Sequence, residues 1–187
     1  MSTLTAPLNA TSGGPMDVLR ASFIDAMAAT PTAVTLVAHR NSEGLRAQTV
    51  SAIASVSADP PSLLVCIHER SPLRERLARA GELFTVNVLQ GGQEGIADTF
   101  AGRSVDGFGP YDESRVAWQT STLGAPIVPD AAVAFECEVQ RFDTLGTHTV
   151  FLALVNEVVP PRAANPGLAY CQRDYRRIGD DQKGDAQ

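Results

Sequence analysis

From Thr32 onward the chain alternates short apolar runs with turn residues, and within the runs the apolar positions recur mostly with a period of two. The runs predict strands over 32–39, 45–57, 62–68, 83–89, 131–141 and 147–159. The fifth alternates cleanly. Val133, Phe135, Cys137 and Val139 fall on one face and Glu136, Glu138 and Gln140 on the other, the pattern of an antiparallel strand with one wetted face. Helical spacing interrupts this series in three places. Leu19, Phe23 and Met27 recur every four residues behind an N-cap at Asp17, and Thr30 before Pro31 ends that helix. Ser71 caps a second, short helix with Pro72 at its first position and Gly81 beyond its last turn, and 93–101 forms a third closed by Gly102. Most connections are too short for βαβ crossovers, so the order predicts a mainly β, antiparallel barrel with short helical insertions. No G-x-G-x-x-G follows any strand, which removes the usual dinucleotide fingerprint.

Length and composition limit the arrangement further. At 187 residues and 44% hydrophobic the chain fits one domain with a full core. Residues 1–15, rich in Thr, Ser, Asn and Pro with two adjacent glycines, read as a flexible leader; 16–178 is the folded domain and 179–187 a flexible tail. Fifteen Lys and Arg against 21 Asp and Glu give a net charge of −6 without a basic run, which argues against nucleic acid. The longest apolar runs are too short to cross a bilayer and no basic region followed by a hydrophobic one opens the chain, so no membrane partner and a cytoplasmic location are expected. Cys66, Cys137 and Cys171 form an odd set without a CxxC, and two of them suit buried strand positions. His39, His68 and His148 show neither metal-ligand spacing nor an obvious carboxylate partner; no metal site is expected.

Two stretches carry candidate chemistry. Thr49, Ser51, Ser55 and Ser57 stand at even spacing, and small hydroxyls with backbone N–H groups along one side of an extended chain suit a phosphate. An ordinary Ser/Thr-rich strand produces the same spacing. The start of the second helix at Ser71, with Arg70, Arg74 and Arg76 nearby, is another candidate anion site; equally, Ser71 is only a cap and the arginines a solvated face.

Six fragments in order bear a likeness: Thr49-Val50-Ser51 through Asp59-Pro60-Pro61, Phe84 to Leu89, Phe100-Ala101-Gly102, Ala134 to Glu138, Gly146 to Phe151, and Tyr170 to Tyr175. Together, over roughly residues 18–178, they resemble the flavin reductase-like proteins. The resemblance implies an antiparallel split β-barrel of the FMN-binding type, a homodimer, FMN or FAD as flavin and NADH or NADPH as hydride donor. It also implies a role as the reductase half of a two-component flavin monooxygenase. Carried over residue by residue, it places flavin contacts at Gln48, Thr49, Val50 and Ser51, with Ser71 and Arg74 at the phosphate end. Phe100, Ala101 and Gly102 match the segment lying against the flavin, and His148 matches the histidine where the nicotinamide approaches. Tyr170, Arg173 and Tyr175 fall where the C-terminal segment closes over the site. On their own, Phe100 reads as core, His148 as a structural or exposed histidine, and Arg176 and Arg177 as a solvated cluster.

The chain departs from the family at Ala33, where many members have Gly, at Ala52, which replaces a second hydroxyl, and at Cys171, a position often polar. The change at Ala52 favours a diffusible flavin as much as a fixed one. Hydride transfer is chemistry the cofactors possess, so the protein has chiefly to stack the rings. The alternative is a flavin-holding electron carrier or sensor without turnover. A purely structural barrel is a third reading.

Overall fold

The computed structural model describes residues 14–160 and 166–179. The bulk of the leader (1–13) and of the tail (180–187) lies outside them, whereas Gly14 and Pro15 already belong to the first helix. In chain order the elements are α1 (Pro15–Ala29), β1 (Thr32–Ala33), β2 (Thr35–Asn41), β3 (Gly44–Val50), β4 (Ile53–Ala58), β5 (Pro61–His68), α2 (Pro72–Leu77), β6 (Leu83–Val88) and α3 (Glu94–Phe100). A 3-10 turn at Glu113–Arg115 follows, then β7 (Gln119–Thr120), β8 (Pro126–Ile127), β9 (Val133–Leu145), β10 (His148–Val159), β11 (Gly167–Cys171) and β12 (Asp174–Ile178).

Seven strands form one antiparallel sheet in the order β3-β2-β6-β9-β10-β5-β4. Its outermost strands, β3 and β4, are neighbours in sequence, joined only by Ser51 and Ala52. Three peptide steps from Val50 to Ile53 reach about 11 Å at most, so the sheet must roll until its two edges meet. The edges exchange no ladder hydrogen bonds, which makes the barrel a split one. The predicted single strand 45–57 is therefore two strands. The hydroxyl row divides with it: Thr49 lies on one edge and Ser55 and Ser57 on the other, so the four do not share a face.

Rolling creates two apolar cores. Val37, Val65, Ile67, Phe84, Val86, Val139 and Phe151 fill the barrel, and Leu73 and Leu77 of α2 plug it. Leu36, Ala38, Leu89, Phe100, Val128 and Leu168 pack on the outer side of β2, beneath α3 and the small sheet β1-β11-β12. Because β2 is covered on both faces, its buried residues run consecutively from Thr35 to His39 instead of alternating. The same covering corrects the reading of β9. Glu136, expected in water, is fully buried beneath the 121–131 segment, where one carboxylate oxygen accepts from the Leu123 N–H.

The helices begin and end close to their signals. α2 is capped by Ser71, whose hydroxyl accepts from the Leu73 N–H, but stops at Leu77, four residues before Gly81. α3 ends just before Gly102, which takes the left-handed conformation at φ +85°. α1 starts three residues earlier than predicted, with Gly14 rather than Asp17 as N-cap and Asp17 in the first turn accepting from the Gly14 N–H. None of its side chains is buried. The strands β11 and β12 escaped prediction; their two-residue turn, Gln172-Arg173, has positive φ at both positions, the type I′ geometry of tight hairpins. Among the described residues no helix is long and apolar enough to cross a membrane.

Candidate active site

A cavity of about 460 Å³ opens where β3 passes the end of β5 and the start of α2. β3 supplies Arg46 and Gln48, β5 ends in His68, and the β5–α2 turn supplies Arg70 and Ser71, with Tyr111 also in the wall. Leu45 and Leu73 form its apolar part. The turn is held by its own hydrogen bonds: Ser71 N–H donates to His68 O (2.9 Å), and Arg70 N–H donates to His68 Nδ1 (3.0 Å). The second contact sets the ring. Nδ1 must carry the lone pair, so the neutral imidazole presents Nε2–H as a donor.

Charge at the cavity is unevenly compensated. Arg46 pairs with Glu113 at 3.1 Å and also donates to Leu45 O. Arg70 takes part in no ion pair among the described residues. The Ser71 hydroxyl donates to the Gln48 side-chain oxygen, which ties the two walls together.

Behind His68 stands His148, its cross-strand partner on β10, with the rings edge to face at 5.0 Å. The tight Gly146-Thr147 turn, with Gly146 at φ +61°, starts β10 there, and His148 Nδ1 meets the Thr147 hydroxyl at 3.0 Å. His39 is elsewhere in the fold, buried, with Nδ1 bonded to Leu83 O at 2.8 Å.

The residues singled out from sequence divide into those at the cavity and those that support it. Gln48 and Ser71 line it. Thr49, next along β3, turns away and donates to Ala97 O at 2.7 Å, Val50 is in the barrel core, and Ser51 is exposed at the break between β3 and β4. Arg74 does not line the cavity; its Nε donates to Glu69 and to Thr149, both at 3.1 Å. Phe100 is buried against Trp118 at 5.9 Å, and Ala101 caps α3. Gly102 lies directly against the Tyr111 ring: a Cβ there would stand 2.8 Å from Oη.

Tyr170, Arg173 and Tyr175 occupy the small sheet and do not line the cavity. Tyr170 and Tyr175 pack edge to face at 5.3 Å, Tyr175 donates to Asp98 at 2.8 Å, and Arg173 pairs with Asp25 of α1 at 2.7 Å. Burial, then the neighbouring Asp98 carboxylate, pushes the Tyr175 phenol well above its ordinary range. Sequence reasoning passed over Arg46, His68 and Tyr111. The first two sit within strands whose alternation carries no functional mark, and Tyr111 follows a turn-rich Asp106-Gly107-Phe108-Gly109-Pro110 run without periodicity.

Comparison with known proteins agrees with this geometry. Residues 27–179 match the family described as the flavin reductase like domain. The FMN reductase (NADH) RutF of Ancylobacter novellus is 34% identical over 185 residues, covering 96% of this chain and 98% of its own. A NADH:FAD oxidoreductase of Streptomyces globisporus, solved with NAD and FAD fragments, superposes with a TM-score of 0.76 at 32% identity, over 92% of this chain and 99% of its own. The styrene monooxygenase flavin reductase of Pseudomonas putida gives 0.72 at 27% identity, over 83% of this chain and 96% of its own.

Proposed function

We infer the activity from one premise: the chain belongs to the flavin reductase like domain family. It is an NADH:flavin oxidoreductase, with FMN or FAD as the flavin. The observation that carries this reading is the cavity itself, whose 460 Å³ lies in the range of cofactor pockets and whose lining suits a flavin nucleotide. Tyr111, Leu45 and Leu73 offer apolar and aromatic surface to a ring system, while Arg70 and the Gln48 side-chain amide, oriented by the Ser71 hydroxyl, offer donors to a phosphate.

When bound, the flavin supplies the hydride-accepting N5 position and NADH the hydride. The chain's own share is to bind and orient. Arg70 and the Gln48 side-chain amide, which the Ser71 hydroxyl orients, would hold the anionic end, and the His68 Nε2–H would be a further donor to a ligand in the cavity. His148 does not line the cavity but stands edge-on behind His68, from where it would border the approach of the nicotinamide. No nucleophile is needed, and the site has the character of a stacking platform.

The finer readings have their own support. Relatives that serve a monooxygenase, such as the styrene monooxygenase reductase, favour release of reduced flavin to a partner oxygenase. An exposed apolar face on α1, with Leu19, Phe23 and Met27 each 46–63% accessible, favours a homodimer in which that face is covered. All three cysteines are free thiols, which favours a cytoplasmic setting. NADPH is proposed as a weaker alternative donor.

The deciding experiment follows oxidation of NADH and of NADPH by desalted protein with FMN, FAD or no flavin. Saturable turnover that depends on added flavin is expected. Flavin binding without turnover would overturn the reductase reading in favour of an electron carrier.

A further inference from the structure

Arg74 looks from sequence like a phosphate ligand, yet its contacts lead elsewhere. Its Nε donates to Glu69 Oε1 and to Thr149 Oγ1, each at 3.1 Å. The same Glu69 oxygen accepts from the Thr149 hydroxyl and stands 3.5 Å from the Thr144 hydroxyl. Thr144 and Thr149 are themselves 3.1 Å apart, and Thr149 is fully buried. One carboxylate oxygen thus gathers α2, β10 and β9.

Glu69 sits between His68 and Arg70, and its N–H donates to Thr147 O at 2.9 Å. His148 lies between Thr147 and Thr149. The network therefore fastens the cavity wall to the strand behind it on both sides of the histidine pair. The Thr149 hydrogen bond and the neighbouring Arg74 hold the Glu69 carboxyl below the usual carboxylate range, so it is ionised when it makes these contacts.

We propose that Glu69 is a positioning residue of the flavin site, and that Arg74 serves Glu69 rather than the ligand's phosphate. Of the two arginines that line the cavity, Arg46 is paired with Glu113, and Arg70 takes part in no ion pair among the described residues. This rests on the flavin-binding reading above. It separates two roles that sequence merges: a phosphate ligand discriminates FMN from riboflavin, which lacks the phosphate, whereas a positioning residue affects both alike.

The test measures affinity for FMN and for riboflavin by quenching of flavin fluorescence, together with KM and kcat for NADH oxidation. Variants are Glu69→Gln, Arg74→Gln, the double variant and Arg70→Gln. Glu69→Gln and Arg74→Gln should each weaken both flavins by about threefold to tenfold with their ratio unchanged, and the double variant should be no worse than either single one. Arg70→Gln should weaken FMN about tenfold more than riboflavin. Preferential loss of FMN in Arg74→Gln, an unaffected Glu69→Gln, or multiplying effects in the double variant would overturn the proposal. Should Glu69→Gln fail to fold, Thr149→Val removes the same carboxylate contact from β10 and is held to the same ratios. Wild-type protein that binds flavin without oxidising NADH defeats only the reductase reading. Wild-type protein that binds no flavin defeats both.

Discussion

Gly102→Ala tests how the end of α3 shapes the cavity. Two separate costs are legible at this position. At φ +85° an L-residue is strained by about 1 kcal/mol, which for a chain of this size lowers Tm by about 2–4 °C. The added Cβ would also stand 2.8 Å from Tyr111 Oη and 3.2 Å from Cζ. Ordinary contact lies near 3.5–4 Å, so the ring must retreat by roughly half an ångström or more. Tyr111 is half exposed and free to move, so this second cost falls on the cavity wall more than on stability. Gly102→Ala is therefore expected to lower Tm by about 2–4 °C and to raise the flavin KM severalfold. In a Tyr111→Ala background the Tm loss should persist while the KM effect disappears, because the backbone strain remains and the ring is gone. Thermal unfolding and steady-state kinetics on the four proteins measure both. An unchanged Tm would refute the strain argument; an unchanged KM in Gly102→Ala would show that Tyr111 does not border the bound flavin.

Three further outcomes are expected. Phe23→Asp, on the exposed face of α1, should shift sedimentation toward monomer without unfolding the domain, since no core residue lies on that helix; an unchanged species would remove α1 from the interface. Tyr175→Phe should flatten the stability profile at alkaline pH. The folded phenol has a raised pKa, so the unfolded chain loses its proton first, near pH ~10, and wild-type stability falls as pH rises beyond that point; equal urea midpoints across that range for both proteins would contradict it. His148→Ala should lower kcat or raise the nicotinamide KM while sparing flavin affinity, and full retention of both constants would exclude it from the reaction.

Much of the fold was readable because local chemistry and tertiary packing agree. Ser71-Pro72 and Gly102 mark helix ends by backbone requirements that any context imposes, and the alternation in 147–159 survives as β10 because its two faces meet different surroundings. The readings failed where packing overrode the pattern. Glu136 alternates as a solvent position, but the loop carrying Leu123, 13 residues earlier and without periodicity of its own, folds back against it. The spacing on α1 reads as one apolar helical face, yet among the described residues none of its side chains is buried. Arg74 and Arg70 are the same residue type in one basic cluster, and what distinguishes them is the pair of contacts Arg74 makes, with Glu69 and with Thr149, the latter 75 residues further on.

By itself the sequence determined the mainly β class, the positions of the short helices and the Ser71 cap beside which the cavity forms, because propensity, capping and alternation act over a few residues, whereas Gln48 was marked only by the resemblance to the family. Tertiary structure alone decided that 45–57 breaks at Ser51-Ala52 to send two strands to opposite edges of a rolled sheet. It also brought β3 against the end of β5, so that Arg46, His68 and Arg70 face one cavity. Those outcomes depend on closing the sheet around a shared core, and the burial that drives closure is a property of residues far apart in the chain.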